Sequence, residues 1–248
     1  MSTPSASVGL PATFSYGSDP SQFGELTLPA NNSSSTGIAV VIHGGFWKAQ
    51  YNLDYGRALA DDLARRGWIA WNVEYRRVGN GGGTPQTFDD ITASLDHLHS
   101  LDLRGVQPDT ATVVLIGHSA GGHLATWAGA HRDVDAVISQ AGVVDLGAAD
   151  RDGLGGGAVA ALLGHRYGPD DARWDPIRQV PLKAAVWCVH AADDDLVPIS
   201  QSEAYVAAAR SAGGRAELVD VPGGHFGVIE PSSPAWARTV TILDALPR

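Results

Sequence analysis

The stretch that most constrains the fold of this chain covers residues 112–125. Residues 113–116 are all apolar, which is typical of a strand buried on both faces of a parallel sheet. Gly117 and Gly121 follow, and apolar residues from Leu124 onward recur as they do on one face of a helix. A buried strand that leads through a sharp turn into a helix predicts an α/β fold with a sheet at its centre.

The turn itself carries a serine between two glycines. Its sequence is Gly117-His118-Ser119-Ala120-Gly121, a G-x-S-x-G pattern. Between a strand and a helix, this pattern lifts a serine hydroxyl clear of both elements. The two glycines remove side chains that would collide where the strand and the helix pack closely. The same letters also occur in plain Gly/Ser loops, so chemistry at Ser119 requires a base, an acid and hydrogen-bond donors from elsewhere in the chain.

Strands and helices alternate along the whole chain, which predicts a mostly parallel central sheet with helices on both faces. At 248 residues this pattern fits one domain that spans residues 1–248. We expect an irregular arm up to about residue 20 and a short strand near a sheet edge at residues 25–29. Residues 142–181 are rich in glycine and proline and too long for a plain connection. We predict that they form a cap or lid insertion beside the site; a surface excursion without function is the alternative.

Charge and composition limit the partners. The chain carries 17 Lys and Arg against 27 Asp and Glu, a net charge of −10, which disfavours nucleic acid and anionic membrane surfaces. No apolar run reaches membrane-spanning length, and the first ten residues lack the basic and apolar regions of a signal peptide. We therefore expect a cytoplasmic protein that acts on a small-molecule substrate. Cys188 is the one cysteine, and its apolar neighbours place it in the core.

A second glycine turn follows the strand predicted at residues 37–42. It reads His43-Gly44-Gly45-Phe46-Trp47. Backbone N–H groups of such a turn can hold the oxyanion of a tetrahedral intermediate. We interpret His43 as a structural residue that hydrogen-bonds the loop. Phe46 and Trp47 either line an acyl pocket or pack in the core, and His118 is a further candidate for the pocket.

The base and the acid are expected late in the chain, because this architecture places them in the order Ser, Asp or Glu, His. His225 lies in a Gly-Gly-His-Phe turn after the last predicted strand, and it alone of nine histidines is late, in a loop and at a strand end. The acid comes from Asp193, Asp194 or Asp195, which local sequence hardly separates. Each candidate follows a strand, and in such sheets the site lies at the carboxyl ends of the strands. This chemistry requires no cofactor and no metal ion.

A resemblance to a known superfamily narrows these choices. One predicted strand runs into His190-Ala191-Ala192-Asp193-Asp194-Asp195-Leu196-Val197-Pro198. This segment resembles the His-Gly-x-x-Asp-x-x-Val-Pro pattern of the α/β-hydrolase superfamily, with Ala191 in place of the usual glycine. The resemblance implies that Asp194 is the acid, and that the amides of Gly45, Phe46 and Ala120 form the oxyanion hole. The loops at residues 43–47 and 117–123 are similar to those of the kynurenine formamidase (arylformamidase) and carboxylesterase branch.

Three functions are consistent with these residues. The first is a serine hydrolase that resembles arylformamidase and cleaves N-formylkynurenine through an acyl-enzyme. The second is a general carboxylesterase that acts on short-chain esters. The third, of another class, is a non-catalytic binding protein with the same fold. Both hydrolase alternatives use Ser119, Asp194 and His225, so an intact triad distinguishes them from the binding protein.

Overall fold

The computed structural model describes residues 10–29, 35–101, 103 and 112–247. Within these ranges the chain forms an eight-stranded sheet. The strands are β1 (Ala12–Ser15), β2 (Phe23–Thr27), β3 (Ile38–Ile42), β4 (Ile69–Val73), β5 (Val113–His118), β6 (Ala136–Gln140), β7 (Ala185–Ala191) and β8 (Ala216–Val221). Their spatial order is β1-β2-β4-β3-β5-β6-β7-β8. Strands β3 to β8 pair in parallel, while β1 pairs with β2, and β2 with β4, in antiparallel fashion. The predicted α/β fold with a mostly parallel sheet is confirmed.

Helices cover both faces of this sheet. They are α1 (Asp54–Arg65), α2 (Gln86–His97), α3 (Ala120–His131), α4 (Leu146–Arg151), α5 (Leu154–Leu163), α6 (Ser200–Ser211), α7 (Gly224–Gly227) and α8 (Pro234–Asp244). Strand side chains alternate between two cores: Val40 and Ile42 point into one, Ala39 and Val41 into the other. Helices α2 and α3 pack in the first core, and α1 and α8 in the second. In the described ranges, no helix combines the length and the apolar character needed to span a bilayer.

The N-terminal part differs from its prediction. The first nine residues of the expected irregular arm lie outside the described residues, but Ala12–Ser15 forms the edge strand β1. It pairs with β2, which therefore becomes the second strand from the edge. The prediction of an irregular arm was wrong here because backbone pairing with β2 holds this short segment. Its side chains alternate between half-buried and exposed, so it has no apolar run that the sequence would reveal.

The insertion at residues 142–181 contains α4, α5 and two short 3₁₀ helices, Pro169–Trp174 and Pro176–Arg178. It packs on α2 and α3. The indole N–H of Trp127 donates to the Arg173 carbonyl at 2.9 Å, and the Trp174 ring lies 4.4 Å from that of Phe88. A ring nitrogen of His123 also lies 2.8 Å from the Trp174 carbonyl oxygen. The segment is thus a folded part of the domain, and its role as a cap over the site stays a prediction.

Candidate active site

Ser119 occupies the turn between β5 and α3. Its backbone has φ 55° and ψ −118°, a conformation that costs a residue with a side chain on the order of 1–3 kcal/mol. The Ser119 amide donates to the Gln140 carbonyl at 2.8 Å, and its own carbonyl accepts from the His123 amide at 3.1 Å. These bonds to β6 and to the first turn of α3 hold the strained residue in place.

Glycines allow the turn to sit this close to its neighbours. A Cβ atom on Gly121 would lie 2.0 Å from the Ile42 carbonyl oxygen, and one on Gly117 would lie 2.0 Å from the Gly121 oxygen. A Cβ on Gly44 would lie 2.9 Å from the Cβ of Ser119. The steric role predicted for Gly117 and Gly121 is confirmed. The same close packing brings the loop after β3 against the serine.

His225 lies in α7, directly after β8, and its Nδ1 is 2.7 Å from Oδ2 of Asp194. Asp194 is fixed in turn by the amides of Leu196 and Val197, which donate to Oδ1 at 2.9 and 2.8 Å. Of the three consecutive aspartates, the structure thus brings Asp194 to the histidine. Asp193 instead accepts a hydrogen bond from the Gly224 amide at 3.0 Å, which ties the acid loop to the turn that carries His225.

The environment of Asp194 favours its ionised form. Burial raises the pKa of this carboxyl, but hydrogen bonds to His190, His225 and the Val197 amide outweigh burial and lower the pKa below its ordinary value. His190 was not among the predicted site residues. Its Nε2 lies 3.3 Å from Oδ2 of Asp194, and its Nδ1 lies 2.7 Å from the Ser202 hydroxyl. An ionised Asp194 can orient His225 and stabilise its imidazolium form.

His118, the residue before the serine, contacts the turn that carries His225. Its Nε2–H donates to the His225 carbonyl oxygen at 2.9 Å, and the two rings lie 4.6 Å apart. Burial, and secondly the proximity of His225, lower the pKa of His118 to about 3. His118 is therefore neutral at physiological pH and acts as a hydrogen-bond donor rather than as a proton carrier.

The loop after β3 presents backbone amides beside the serine. Gly45, Phe46 and Trp47 all have positive φ angles, of 109°, 50° and 54°. The Val78 amide donates to the Trp47 carbonyl at 2.8 Å, which holds the far end of the loop. Within the described part of the chain, the amides of Gly45, Phe46 and Ala120 donate to no other group. These three N–H groups are available to a negatively charged oxygen.

His43 lies beneath this loop, fully enclosed. Its Nδ1 is 2.8 Å from the Gly44 carbonyl oxygen, and its Nε2 is 3.2 Å from Oε1 of Glu74. The Tyr75 ring stacks on the imidazole at 4.5 Å, and Arg77 forms an ion pair with Glu74. Burial raises the pKa of Glu74, but His43 and Arg77 outweigh it and the net pKa is lowered. The structure agrees with the interpretation of His43 as a structural residue.

A small cavity of about 70 Å³ opens at Ser119. Its walls are formed by Gly44, Gly45, Phe46, Tyr51, Tyr55, His118, Ser119, Leu196, His225 and Phe226. Three of these side chains are large, apolar and exposed: Tyr55 at 44%, Leu196 at 41% and Phe226 at 53%. The sequence did not point to them, because Tyr55 lies at the start of α1, Leu196 in a loop and Phe226 in the short α7, and no pattern distinguishes them.

Of the two residues predicted for the substrate pocket, Trp47 lies away from the cavity, contrary to that prediction, while contact of His118 with a substrate stays a prediction. His118 lines the cavity, whereas the Trp47 side chain is fully buried and contacts His123 edge-on with ring centroids 5.1 Å apart. The Trp47 side chain packs instead in the core, beside His123 of α3. Phe46, one residue earlier, lines the cavity instead.

The mostly parallel eight-stranded sheet with helices on both faces is the fold of an α/β-hydrolase. The BD-FAE family profile matches residues 25–208, which is more than half of the chain. The chain therefore belongs to the BD-FAE family, a carboxylesterase-like family of α/β-hydrolases.

One curated relative and several solved structures are similar to this chain. The isoprenylcysteine alpha-carbonyl methylesterase ICME of Arabidopsis thaliana is 24% identical over 232 residues, which cover 82% of this chain and 53% of that protein. This chain thus spans about half the length of that relative. Among solved structures, esterase B from Lactobacillus rhamnosis has a TM-score of 0.81 at 21% identity, over 96% of this chain and 85% of the other.

Two further structures are similar. A truncated carbohydrate esterase from gut microbiota has a TM-score of 0.79 at 20% identity, over 98% of this chain and 97% of the other. A bifunctional GH43-CE protein from Bacteroides eggerthii has a TM-score of 0.80 at 22% identity, over 93% of this chain and 37% of the other. At these identities the likeness shows a shared fold.

Proposed function

We propose that this protein is a serine carboxylesterase in which Ser119, His225 and Asp194 form the catalytic triad. One observation carries the proposal: Ser119 and His225 line the same cavity, and Nδ1 of His225 is hydrogen-bonded to a carboxylate whose pKa is lowered. A serine hydroxyl becomes a nucleophile when such an oriented base takes its proton.

The proposed reaction has two halves. Oγ of Ser119 attacks the ester carbonyl carbon while Nε2 of His225 takes the hydroxyl proton, and Asp194 stabilises the imidazolium. The amides of Gly45, Phe46 and Ala120 bind the oxyanion, and each such donor is worth about 2.7–4 kcal/mol. His225 then gives the proton to the departing alcohol. Water then gives a proton to His225 and attacks the acyl-enzyme carbonyl; the bond to Oγ of Ser119 breaks, Oγ takes the proton back from His225, and the acid is released.

The size of the cavity supports a short acyl group. At about 70 Å³ it is smaller than a cavity that holds benzene, which is about 150 Å³. Tyr55, Leu196 and Phe226 give the mouth an exposed apolar rim, which suits an apolar substituent on the alcohol side. We therefore propose esters of short acids as substrates. The names of the similar proteins, a methylesterase and several esterases, support ester hydrolysis as the reaction.

N-formylkynurenine hydrolysis is the second candidate. Formyl is the smallest acyl group, and the aromatic rim of Phe226 and Tyr55 could hold an aniline ring. The resemblance at Trp47 no longer supports this substrate, because that side chain lies in the core. Carboxylesterase activity is therefore the first proposal.

The test is a comparison of kcat/KM for p-nitrophenyl acetate, butyrate and octanoate with kcat/KM for N-formyl-L-kynurenine, with Ser119→Ala as the control. We expect acetate or butyrate to be preferred, with octanoate slower because its chain exceeds the cavity. A formamide value of about 10⁴ M⁻¹s⁻¹ or more, above that of the esters, would make the protein an arylformamidase instead. Folded wild-type protein that hydrolyses neither class and is not labelled by a fluorophosphonate would be a binding protein.

A further inference from the structure

A run of glycines at the start of α5 has an unusual backbone. Gly153, Gly155, Gly156 and Gly157 all have positive φ angles, between 61° and 82°. Only Gly155 is crowded: a Cβ there would lie 2.5, 2.7 and 2.8 Å from three ring atoms of Phe46. A Cβ on any of the other three would meet nothing within 4 Å. Of these four glycines, Gly155 is thus the one whose missing side chain leaves room for the Phe46 ring.

Lys48 contacts the same glycine. Its Nζ donates to the Gly155 carbonyl oxygen at 2.7 Å and lies 5.8 Å from the centre of the Phe46 ring. The two side chains that flank Trp47 therefore converge on one residue of the insertion, 107 positions beyond Lys48 in the chain.

The loop requires such support because its conformation is strained. Phe46 and Trp47 are consecutive non-glycine residues with φ of 50° and 54°, each at a cost on the order of 1–3 kcal/mol. On one side, hydrogen bonds between residues 47–49 and Val78 hold the loop. On the other side, Gly155 contacts Phe46 and accepts from Lys48. A strained segment persists only where its surroundings over-determine it, and these two sets of contacts hold the Phe46 ring and the residues that follow it.

We propose that Gly155 and Lys48 are positioning residues for the oxyanion hole: the insertion holds Phe46 so that its amide points at the reacting oxygen. This inference rests on the proposed function, since it assigns a purpose to the Phe46 amide. The absence of a Cβ at Gly155 lets the Phe46 ring lie against the insertion, and the Lys48 ammonium fixes the Gly155 peptide.

The chain supplies a matched control for a test. Gly155→Ala and Gly156→Ala introduce the same methyl group at similar positive φ angles, 61° and 71°, but only the first meets Phe46. With p-nitrophenyl acetate we expect Gly155→Ala to lower kcat at least about tenfold with KM nearly unchanged, because oxyanion donors act in the transition state. We expect Gly156→Ala to keep kcat within about threefold of wild type.

Lys48 variants test the second contact without any steric change at Gly155. Lys48→Met removes the donor and keeps most of the chain length, so kcat falls by about threefold or more. Lys48→Arg retains a donor and recovers at least half of the lost activity. Equal kcat values in the Met and Arg variants would overturn the role of Lys48.

Hydrogen–deuterium exchange of a peptide that covers residues 44–49 provides a readout that does not depend on ester hydrolysis. We expect faster exchange in Gly155→Ala and Lys48→Met, and wild-type exchange in Gly156→Ala. Equal exchange and equal kcat in the two glycine variants, or a loss confined to KM, would overturn the proposal. If wild-type protein hydrolyses no ester, the proposed function fails, and exchange alone still decides whether the insertion holds the loop.

Discussion

Two buried histidines in this domain each lie beside a carboxylate, yet they have different surroundings. His225 uses Nδ1 for Asp194 and lines the cavity at Ser119, which leaves Nε2 for the cleft. Both ring nitrogens of His43 have hydrogen-bond partners inside the protein. Nδ1 contacts the Gly44 carbonyl, and Nε2 contacts Glu74 and Arg77. The domain thus contains two histidine–carboxylate pairs. The histidine of one, His225, faces the cleft, and the histidine of the other, His43, is enclosed.

The difference comes from what surrounds each carboxylate. Asp194 is held by turn amides and by histidines, whereas Glu74 is also paired with the guanidinium of Arg77. A permanent cation beside Glu74 keeps that carboxylate ionised whatever the state of His43. We infer that the Asp194 pair serves catalysis and that the Glu74 pair serves the stability of the loop above it. Removal of the carboxylate from each pair in turn tests this division.

The largest expected effect is that of Asp194→Asn on activity. The amide keeps an oxygen for the Leu196 and Val197 amides but presents N–H to Nδ1 of His225. The histidine then adopts the wrong tautomer, and we expect kcat to fall by about 10⁴. The measurement is steady-state hydrolysis of p-nitrophenyl acetate, with thermal melting to show that the variant is folded.

Asp193→Asn is the matched control for that change. Asp193 is exposed and accepts one hydrogen bond from the Gly224 amide, which an asparagine oxygen also accepts. We expect kcat within about threefold of wild type. Similar losses in both variants would contradict the assignment of the acid to Asp194.

The next effect is that of Glu74→Gln on stability. The change leaves the buried Arg77 guanidinium without its carboxylate, so we expect the free energy of unfolding to fall by about 3–5 kcal/mol. Urea denaturation at pH 7 measures this difference.

The pH dependence of the Glu74 effect has a definite sign. The folded-state pKa of Glu74 is lowered. Its contribution to the free energy of unfolding is therefore complete at pH values above the pKa of an unfolded glutamate, about 4.3. The contribution is lost as the pH falls through the folded value, so the gap between wild type and variant narrows in acid. If Glu74→Gln left the stability at pH 7 unchanged and lowered kcat as much as Asp194→Asn, the Glu74 pair would serve catalysis rather than stability.

The smallest effect concerns a third buried carboxylate, Asp175 of the insertion. Burial, the largest cause, raises the pKa of Asp175 to about 6, while hydrogen bonds from the Leu146 amide and the Tyr167 hydroxyl only partly oppose it. The folded protein therefore holds this proton more tightly than the unfolded chain, and stability falls as the pH rises from about 4 to 6.

Asp175→Asn removes that pH dependence with little change of shape. We expect the variant to be more stable than wild type at pH 7 by on the order of 3 kcal/mol, and the advantage to vanish near pH 4. Urea denaturation at both values checks the sign. A variant that is less stable at pH 7 would show that Asp175 resembles Asp194, with its charge stabilised by its partners.

Much of the fold could be predicted because its cause is local. Apolar runs at residues 113–116 and 37–42 became β5 and β3, and the glycine spacing around Ser119 produced the turn. The edge strand β1 could not be predicted, since its order depends on pairing with β2. The choice among the three aspartates came from resemblance, and the structure then placed Asp194 against His225.

The alternation of strands and helices and the turn at Ser119 could be predicted from the sequence alone. These depend on periodicity and turn chemistry within a few residues. The folded chain was needed to show that Phe46 faces the cleft while Trp47 enters the core, and that Gly155 meets Phe46. The direction of a loop side chain depends on which distant segments pack beside it, and that packing is a property of the whole folded chain.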